Sequence, residues 1–484
     1  MSAPAIALTI IFGIIVLGSI IGFYAGARRK MDLEQWTVAG RGLGLVLVWL
    51  LMAGEIFTSF TFLGASGWAY SRGGPTLYIV AYATLNYVVS FFILPQIWEM
   101  GKKYKLQTEP DFFGRRYRSK RLAAFVSVVG VASIIPYLQL QFTGLGIIVE
   151  VASFNGIGRT PAMIVAVVLV AAFISVNGVR AVAGVSILKD FLMLCTTLVI
   201  GIGVPYIYFG GIGPMFAALA RARPAHLVMP GATRNLGHAW FISTVLMTSF
   251  GGYMWPHWFG TSFTAKSGDT LRRNAILMPL YTLTLPLMLF VGFGAILIVP
   301  GLRNGDLALL AVVRRTFSPW VLGVIGGAGA LTAMVPSAIL ILTAAALFAK
   351  NFYRPVFAAT MSDEQVGRLA RIMVLVISAA TLCLAIYSSI SLVSLMLLGY
   401  DGVAQFLPGV VLGLYWKRAT MAGVSAGLVV GLVLTITMVL SKRDPFMGLN
   451  AGFLALCANF LVCGLVSMFT PIQPSGFDDP PCAI

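Results

Sequence analysis

Long apolar stretches separated by short polar segments make up most of this chain of 484 residues. A helix needs about 20 mostly apolar residues to cross the ~30 Å hydrocarbon core of a bilayer. Thirteen stretches meet this requirement, with approximate limits 3–25, 43–70, 75–100, 122–149, 160–178, 183–209, 238–262, 275–299, 319–349, 371–389, 391–415, 420–440 and 449–470. The pattern therefore predicts an all-α polytopic membrane protein with about 13 transmembrane helices.

Composition supports this interpretation and excludes several other classes of protein. Hydrophobic residues make up 59% of the chain and charged residues 10%, whereas soluble domains carry about 25% charged residues. Mean hydropathy is +0.92. Soluble enzymes, nucleic-acid-binding proteins and secreted disulfide scaffolds are therefore excluded. The five cysteines are odd in number, and four of them lie in apolar runs, so the sequence indicates neither a disulfide framework nor a metal site.

The distribution of Lys and Arg predicts the orientation. The net charge of +17 comes from basic residues in short loops, most densely between residues 102 and 121, and cytoplasmic loops carry such an excess. This places the N-terminus outside and, with thirteen spans, the C-terminus inside. The first span is followed by Arg28-Arg29-Lys30 and does not resemble a signal peptide. We expect one transmembrane domain over residues 1–470 and a short, disordered cytoplasmic tail over 471–484.

Two spans contain residues that interrupt a helix. Span 2 places a glycine, a carboxylate and three hydroxyls in mid-membrane at 54–61, and span 7 has Gly251-Gly252 followed by Pro256. Interrupted helices at matching positions of two halves are the best sequence indication of a transporter's midplane site. We therefore predict a five-plus-five inverted repeat, with spans 2–6 equivalent to spans 7–11. The alternative is packing glycines and a simple proline kink.

Three of the ionisable residues inside predicted spans are hard to explain as decoration, namely Glu55, Lys189 and Asp401. An ionised group at the bilayer centre costs about 3 kcal/mol or more, so such groups are usually functional or paired. The alternatives are a hydrogen-bonded carboxyl without a transport role for Glu55, snorkelling to the interface for Lys189, and a water-filled vestibule for Asp401. Lys189 and Asp190 are adjacent and point about 100° apart on a helix, so we expect no ion pair between them.

Several motifs resemble those of one transporter family, the solute:sodium symporters. The loop 106–119 resembles the family's T-x-P-[DE]-[FY]-x-x-x-R-Y-G-S segment, with Arg118 in place of the glycine. The segment 406–423 resembles the P…G-L-[FY]-W-[KR]-R…G signature, and Pro256-His257 with Ala265-Lys266 resembles the exit of span 7. Within the family, the stretches 51–56, 252–257 and 331–336 are most similar to bacterial monocarboxylate permeases. The resemblance implies the leucine-transporter fold and uptake of lactate, pyruvate, propionate or alanine.

The chain departs from this family at the sodium motif of span 9. The family has approximately A-M-S-T-A-D-S where this chain reads Ala-Met-Val-Pro-Ser-Ala-Ile from residue 333. Val335 and Pro336 offer no side-chain oxygen, although a hard cation prefers several oxygen ligands. The oxygens that remain are carbonyls near Gly54 and Phe57 and the hydroxyl of Ser337. Lys189 lies on the helix face that resembles the face next to the family's sodium site. Its ammonium could take the place of the sodium ion.

The expected function is secondary active symport of small monocarboxylates by alternating access, without cofactor, metal or bond chemistry, in the plasma (inner) membrane. Protons are the expected coupling ion and sodium is the alternative. Glu55 would carry the proton, because a protonated carboxyl is neutral, and Lys189 would balance charge during the return step. The ion-coupling set is Glu55, Gly54, Phe57, Lys189 and Ser337. The expected substrate-binding set is Thr58, Ser59, Thr61, Tyr137, Gln141, Tyr253, Trp255, His257 and Gln405.

Other functions stay open on the sequence alone. A sodium-coupled symporter of pantothenate or proline is the main alternative. A membrane sensor on the same fold is weaker, because the tail is too short for a signalling domain, and a channel would favour a continuous polar pore. The expected partners are the monocarboxylate and the lipid bilayer, with no nucleic acid, and the oligomeric state is left open.

Overall fold

The computed structural model describes residues 2–26, 39–176, 179–233, 235–472 and 474–478. Arg28-Arg29-Lys30 and Cys482 lie outside the described residues. Within the described ranges the chain forms helices and no β-strand, apart from isolated bridges that join Leu43 to Ala265 and Phe446 to Leu449.

The α-helices follow one another along the whole described chain. They are α1 (Ala3–Gly26), α2 (Leu45–Gly54), α3 (Ala65–Arg72), α4 (Tyr78–Tyr104), α5 (Glu109–Arg116), α6 (Lys120–Ala152), α7 (Arg159–Val176), α8 (Val179–Phe209), α9 (Ile212–Ala222), α10 (His238–Gly251), α11 (Pro256–Ser262), α12 (Gly268–Thr282), α13 (Leu285–Ile298), α14 (Ala308–Thr316), α15 (Pro319–Ala346), α16 (Arg354–Phe357), α17 (Asp363–Tyr387), α18 (Leu392–Val403), α19 (Leu407–Tyr415), α20 (Met421–Leu440) and α21 (Ala451–Phe469). A π-helical segment, Phe60–Gly64, precedes α3, and a second one, Leu347–Tyr353, continues α15.

Ten helical segments of the described chain are long and apolar enough to cross a membrane. They coincide with ten of the thirteen predicted spans. Two of the other three are the interrupted spans, which the structure divides into α2 with α3 and α10 with α11. The third, 160–178, falls on α7. The all-α membrane fold is therefore confirmed, while the count of thirteen and the orientation stay predictions.

Local sequence explains where span 7 breaks. Helix α10 ends at Gly251, a short 3-10 turn covers Gly252–Met254, and Trp255 is extended with φ −64° and ψ 124°. A residue before proline is disfavoured in the α region because the proline ring crowds its backbone. Pro256 then begins α11, where its missing N–H has no partner to lose. The break is thus set by the Trp-Pro step.

The first broken span stops at a different kind of signal. Helix α2 ends at Gly54, and the next residues form turns in which the N–H groups of Glu55 and Ile56 donate to Met52 O at 3.2 Å and Ala53 O at 3.0 Å. The start of span 2 meets the end of span 7 at the isolated bridge, where Leu43 N donates to Thr264 O at 3.1 Å. The two breaks are therefore held side by side.

Continuous helices enclose both breaks. Helix α6 packs against α15 and α18, and α4 packs against α10 and α12. Helix α8 packs against α2, which brings Lys189 to the first break. Helices α20 and α21 form a hairpin at the side of this bundle. The site thus lies inside the protein, where irregular backbone in a membrane is tolerated.

The described part of the tail packs against α4 and α5. The Phe477 ring stacks on Tyr104 with ring centroids 5.1 Å apart and packs edge-on against Phe112 at 5.3 Å. Tyr104 also donates a hydrogen bond from its hydroxyl to the carbonyl of Phe477. The predicted disorder is therefore wrong for residues 474–478, because one aromatic side chain finds an apolar place between two helices.

Candidate functional site

The unwound backbone of the first break is bonded mainly by its own hydroxyl groups. Thr61 Oγ1 accepts a hydrogen bond from Thr58 N at 2.9 Å and lies 3.0 Å from the carbonyl of Ile56, to which it donates. Ser59 N donates to Gln141 Oε1 on α6 at 3.1 Å. Buried backbone groups need such partners in a membrane. Of the three predicted substrate hydroxyls, Thr58 and Thr61 thus support the backbone, and only Ser59 Oγ lacks a hydrogen-bond partner.

Lys189 reaches into the break at the two carbonyls singled out in the sequence. Its Nζ donates to Gly54 O and lies 3.5 Å from Phe57 O. The side chain is fully buried, so the snorkelling interpretation is wrong. Nζ is also 3.3 Å from Asp190 Oδ1, so the expectation of no ion pair between neighbours is wrong as well. The long lysine side chain can bend back, and both groups face Gly54, which has no side chain to separate them.

Asp190 has a second partner on another helix. Tyr281 on α12 donates from its hydroxyl to Asp190 Oδ1 at 3.0 Å. The aromatic ring of Tyr281 packs edge-on against Phe57 with centroids 5.1 Å apart. One cation, one carboxylate and one phenol thus surround the end of α2. A buried charge is tolerated when it is paired and hydrogen-bonded in this way.

Glu55 lies on the opposite side of the same break, facing span 7. Its Oε1 is 3.5 Å from the hydroxyl of Thr261, and its Oε2 is 3.8 Å from His257 Nε2. Oε2 forms no hydrogen bond with the described residues. The carboxyl is 2% exposed. Glu55 therefore connects the two broken spans through weak, long contacts that leave it able to exchange partners.

The altered sodium motif is built into a continuous helix. Val335, Pro336 and Ser337 are all buried within α15. The Ser337 hydroxyl donates to Ala333 O one turn earlier at 2.7 Å, which is a frequent way for serine to bond within a helix. Its predicted role in ion coupling therefore rests on a hydroxyl that already has a partner.

Two cavities meet at Glu55. The larger leaves about 70 Å³ for the centres of water molecules and extends from Glu55 and His257 to Gln107 and Thr108 in the Lys/Arg-rich loop. The smaller leaves about 20 Å³ and is lined by Glu55, Ile56, Phe60, Tyr82, Ala83, Asn86, Tyr87, Tyr137, Trp258, Met396 and Tyr400. Because one water needs roughly 10–15 Å³ by this measure, the larger cavity has room for about five waters and the smaller for one or two.

Two of the nine predicted substrate residues line these cavities, and others pack beside them. Tyr137, which packs against Trp255 and His257 at centroid distances of 5.0 and 5.7 Å, lines the smaller cavity, and His257 lines the larger. Tyr253 is buried and packs against Trp258 at 5.4 Å. Helix α6 thus presents Tyr137 to span 7 and Gln141 to span 2, as their spacing of four residues predicts.

Gln405 and Asp401 lie elsewhere. Gln405 Nε2 donates to Asp401 O at 3.1 Å and to Gly452 O at 3.3 Å, and Asn459 donates to Gln405. Neither residue lines the two cavities described above. Asp401 is 2% exposed and packs against Gly452, so the vestibule interpretation is not supported. This polar group joins α18 to α21.

Sequence reasoning missed several residues around the cavities. Thr261 contacts Glu55, while Tyr82, Asn86 and Tyr400 line the smaller cavity. One signal was available, because Tyr82 and Asn86 are four residues apart and place two polar groups on one face of an apolar helix. Tyr400 gave no such signal, since a tyrosine in a span is equally typical of an interface.

An ion pair stands beside the mouth of the larger cavity. Lys350 Nζ is 2.8 Å from Asp111 Oδ2 and donates to Gln107 Oε1 at 2.8 Å, and Asn351 donates to Asp111 Oδ1 at 2.7 Å. Burial by itself would raise the pKa of Asp111, but the charge of Lys350 and these hydrogen bonds hold it below its usual value. Asp111 therefore stays ionised and fixes the Lys/Arg-rich loop to the π-helical segment that continues α15.

Comparison with known proteins gives the family of the chain. The model of the sodium:solute symporter family matches residues 36–431. An uncharacterized symporter of Bacillus subtilis (strain 168), YhjB, is 43% identical over 479 residues, covering 96% of this chain and 97% of the relative. A monocarboxylate transport permease protein of Rhizobium johnstonii is 27% identical over 486 residues, covering 96% and 97%.

A solved structure has the same fold. A Na⁺-coupled sialic acid symporter in its substrate-bound outward-open state superposes with a TM-score of 0.79 and 16% sequence identity, covering 97% of this chain and 98% of the other. At this identity the likeness concerns the fold alone. It agrees with the leucine-transporter fold that the sequence motifs imply.

Proposed function

The chain belongs to the sodium:solute symporter family, and on this premise we propose that it imports small monocarboxylates by alternating access with protons as the coupling ion. It is a multi-pass protein of the plasma membrane, in a family of symporters rather than enzymes. The proposal includes thirteen spans, an external N-terminus, one transmembrane domain over 1–470 and an internal tail over 471–484.

The substrate class is supported by a relative and by the chemistry of the cavities. The Rhizobium relative is named for monocarboxylate transport. Besides Glu55 and His257, the described walls of the two cavities carry neutral hydrogen-bonding groups from Thr, Tyr, Asn and Gln but no Lys or Arg. Neutral O–H and N–H donors can hold a single carboxylate without a basic residue. Room for about five waters suits acids of two to four carbons.

The coupling ion is argued from the position of Lys189, which is the observation that carries the proposal. Its ammonium bonds the carbonyls of Gly54 and Phe57, the oxygens that would otherwise be available to a sodium ion in this chain. Val335 and Pro336 offer no side-chain oxygen to replace them. We therefore assign the position of the sodium ion to the ammonium of Lys189, and we assign the transported positive charge to a proton.

Glu55 is the residue proposed to carry that proton. It lines both cavities, so it can meet the substrate on one side and the inner vestibule on the other. A protonated Glu55 is neutral, and the loaded carrier can change conformation without an unpaired buried charge. Once the proton leaves, Lys189 is the nearby positive charge that balances the carboxylate during the return of the empty carrier.

Transport in proteoliposomes tests the proposal, with sodium and proton gradients imposed separately. Labelled lactate should accumulate when the outside is acidic, without sodium. Glu55→Gln should abolish this accumulation and retain exchange of internal for external lactate, because only the proton carrier is lost. Glu99→Gln, at an exposed carboxylate near the end of α4, is the matched control and should behave as the wild type.

Other outcomes would replace the proposal. Uptake that requires sodium and ignores the pH gradient would favour the sodium-coupled alternative. Competition by pantothenate or proline, with none by lactate, pyruvate or propionate, would reject the substrate class. Normal accumulation by Glu55→Gln would reject Glu55 as the carrier.

A further inference from the structure

Polar side chains from three helical segments meet at the smaller cavity, where Tyr82 and Tyr400 line the wall and Trp255 packs against Tyr400. Tyr82 lies on α4, Trp255 at the break of span 7 and Tyr400 on α18. The Tyr400 ring packs edge-on against Tyr82 and Trp255, with centroid distances of 5.9 and 5.4 Å. Its hydroxyl lies next to the Tyr82 hydroxyl and the Trp255 indole nitrogen. We call these three residues the aromatic cluster.

The position of the cluster depends on a glycine. A β-carbon at Gly399 would stand 2.5 Å from Cη2 of Trp255, closer than atoms pack. The absence of that side chain lets the indole lie against α18 next to Tyr400. The ring positions are therefore set by close packing, and the polar atoms on them are held in place.

Two of these polar atoms lie close to each other without a hydrogen bond of ordinary length in the described chain. Both the Tyr400 hydroxyl and Trp255 Nε1 are buried and form no hydrogen bond at 3.5 Å or less, and Asn86 Oδ1 nearby is in the same condition. A buried polar group left without a partner costs about 1–3 kcal/mol. Native proteins seldom accept that cost several times in one place unless a ligand or water provides the partner.

We propose that the aromatic cluster binds the oxygen substituent on carbon 2 of the substrate, which makes the protein selective for 2-hydroxy and 2-oxo acids over unsubstituted short-chain acids. This inference rests on the proposed function. The phenol of Tyr400 donates and accepts, and the indole of Trp255 donates, so a hydroxyl or carbonyl oxygen satisfies both. The smaller cavity has the size of such a substituent and not of a whole acid.

The expected selectivity follows from the unpaired atoms. A site built to bond a substrate oxygen discriminates strongly against the analogue that lacks it, because its own buried groups then stay unpaired. Lactate and propionate differ by one hydroxyl and provide a matched pair of substrates. The wild type should therefore transport lactate with a kcat/KM at least about tenfold above that for propionate.

Tyr400→Phe tests the assignment by removing one oxygen atom. We expect kcat/KM for lactate and pyruvate to fall about tenfold and that for propionate to change less than about twofold. Tyr82→Phe should shift the ratio in the same direction and serves if Tyr400→Phe does not fold. Tyr78→Phe is the control, because Tyr78 stacks on Tyr82 at 5.8 Å and has an unpartnered hydroxyl but lines neither cavity.

The result that overturns the inference is an equal loss for lactate and propionate in Tyr400→Phe and Tyr82→Phe, which would indicate a packing role. An unchanged lactate-to-propionate ratio in both variants also overturns it. These outcomes leave monocarboxylate transport by the wild type intact. If the wild type transports neither acid, the proposed function fails first and the inference fails with it.

Discussion

The ammonium group of Lys189 donates a hydrogen bond to the carbonyl of Gly54, where helix α2 ends at the break of span 2. A β-carbon at position 54 would stand 3.1 Å from Lys189 Nζ and 3.2 Å from Asp190 Oδ2. Contacts of that length require the charged groups to shift by a few tenths of an ångström. The glycine therefore does more than end a helix, because it admits the ion pair to the carbonyl.

The substitution Gly54→Ala should separate the ion pair from the break. We expect a loss of about 1–3 kcal/mol in stability from overpacking, with a marked fall in uptake because the cation is displaced. Gly44→Ala at the start of the same helix is the control, since a β-carbon there meets nothing within 4 Å. Thermal unfolding in detergent and uptake in proteoliposomes measure the two effects. Equal behaviour of the two variants would contradict this account.

Removal of one member of the Lys189–Asp190 pair should harm the protein more than removal of both charges. Lys189→Met leaves Asp190 as a buried carboxylate without its cation, which typically costs about 3–5 kcal/mol. In Lys189→Met/Asp190→Asn the amide can still accept the hydrogen bond from Tyr281, so we expect most of that stability to return. The free energies of unfolding of the single and double variants decide the point. A double variant no more stable than Lys189→Met would show that the two charges do not stabilise one another.

The carboxyl of Asp306, on the opposite side of the protein from the Lys/Arg-rich loop, should make the free energy of unfolding depend on pH. It lies in the turn Gly305–Leu307 outside the spans, is 4% exposed, and accepts a hydrogen bond from Leu392 N at 3.1 Å. Burial raises its pKa to about 6, against the opposing effects of that bond and of Arg159. The pKa of Asp306 is therefore higher in the folded protein than its value near 4 in the unfolded chain. The stability that the protonated carboxyl contributes is complete below about pH 4, and it is lost as the pH rises through about 6.

The measurement compares wild type with Asp306→Asn, which cannot ionise but can still accept from Leu392. Between about pH 4 and pH 6.5 the wild type should lose on the order of 3 kcal/mol of unfolding free energy relative to the variant. Parallel pH profiles of the two proteins would show that Asp306 ionises in the fold as freely as in the unfolded chain.

Phe477 should hold the tail against α4 and α5. Gly476 N donates to Arg116 O at 3.2 Å, and the Phe477 ring contacts Tyr104 and Phe112. Phe477→Ala removes this aromatic burial, worth about 1–2 kcal/mol for a partly exposed ring, and should release residues 474–478. Hydrogen exchange of the tail and of α5 should increase several-fold, whereas Ile472→Ala at an exposed position should have no effect. Unchanged exchange in Phe477→Ala would mean that backbone contacts alone hold the tail.

Much of the fold could be predicted because it depends on local physics. Ten apolar helices follow from the length that a bilayer imposes, and the break of span 7 follows from the Trp255-Pro256 step and its effect on backbone angles. The absence of side-chain oxygens at Val335 and Pro336 could also be recognised in the sequence, since it depends only on residue type. These features need no knowledge of what lies across the bundle.

Partners that lie far apart along the chain were decided by the tertiary structure alone. Gln405 was expected at the substrate site but bonds Asp401, Gly452 and Asn459, because helical periodicity gives a face and not the neighbour of that face. Lys189 and Asp190 were expected to diverge, yet a glycine 135 positions away from Lys189 in the chain leaves room for both charged ends, and the ammonium bonds its carbonyl. Helix angles fix where a side chain starts, whereas packing against other helices decides where its charged end finishes.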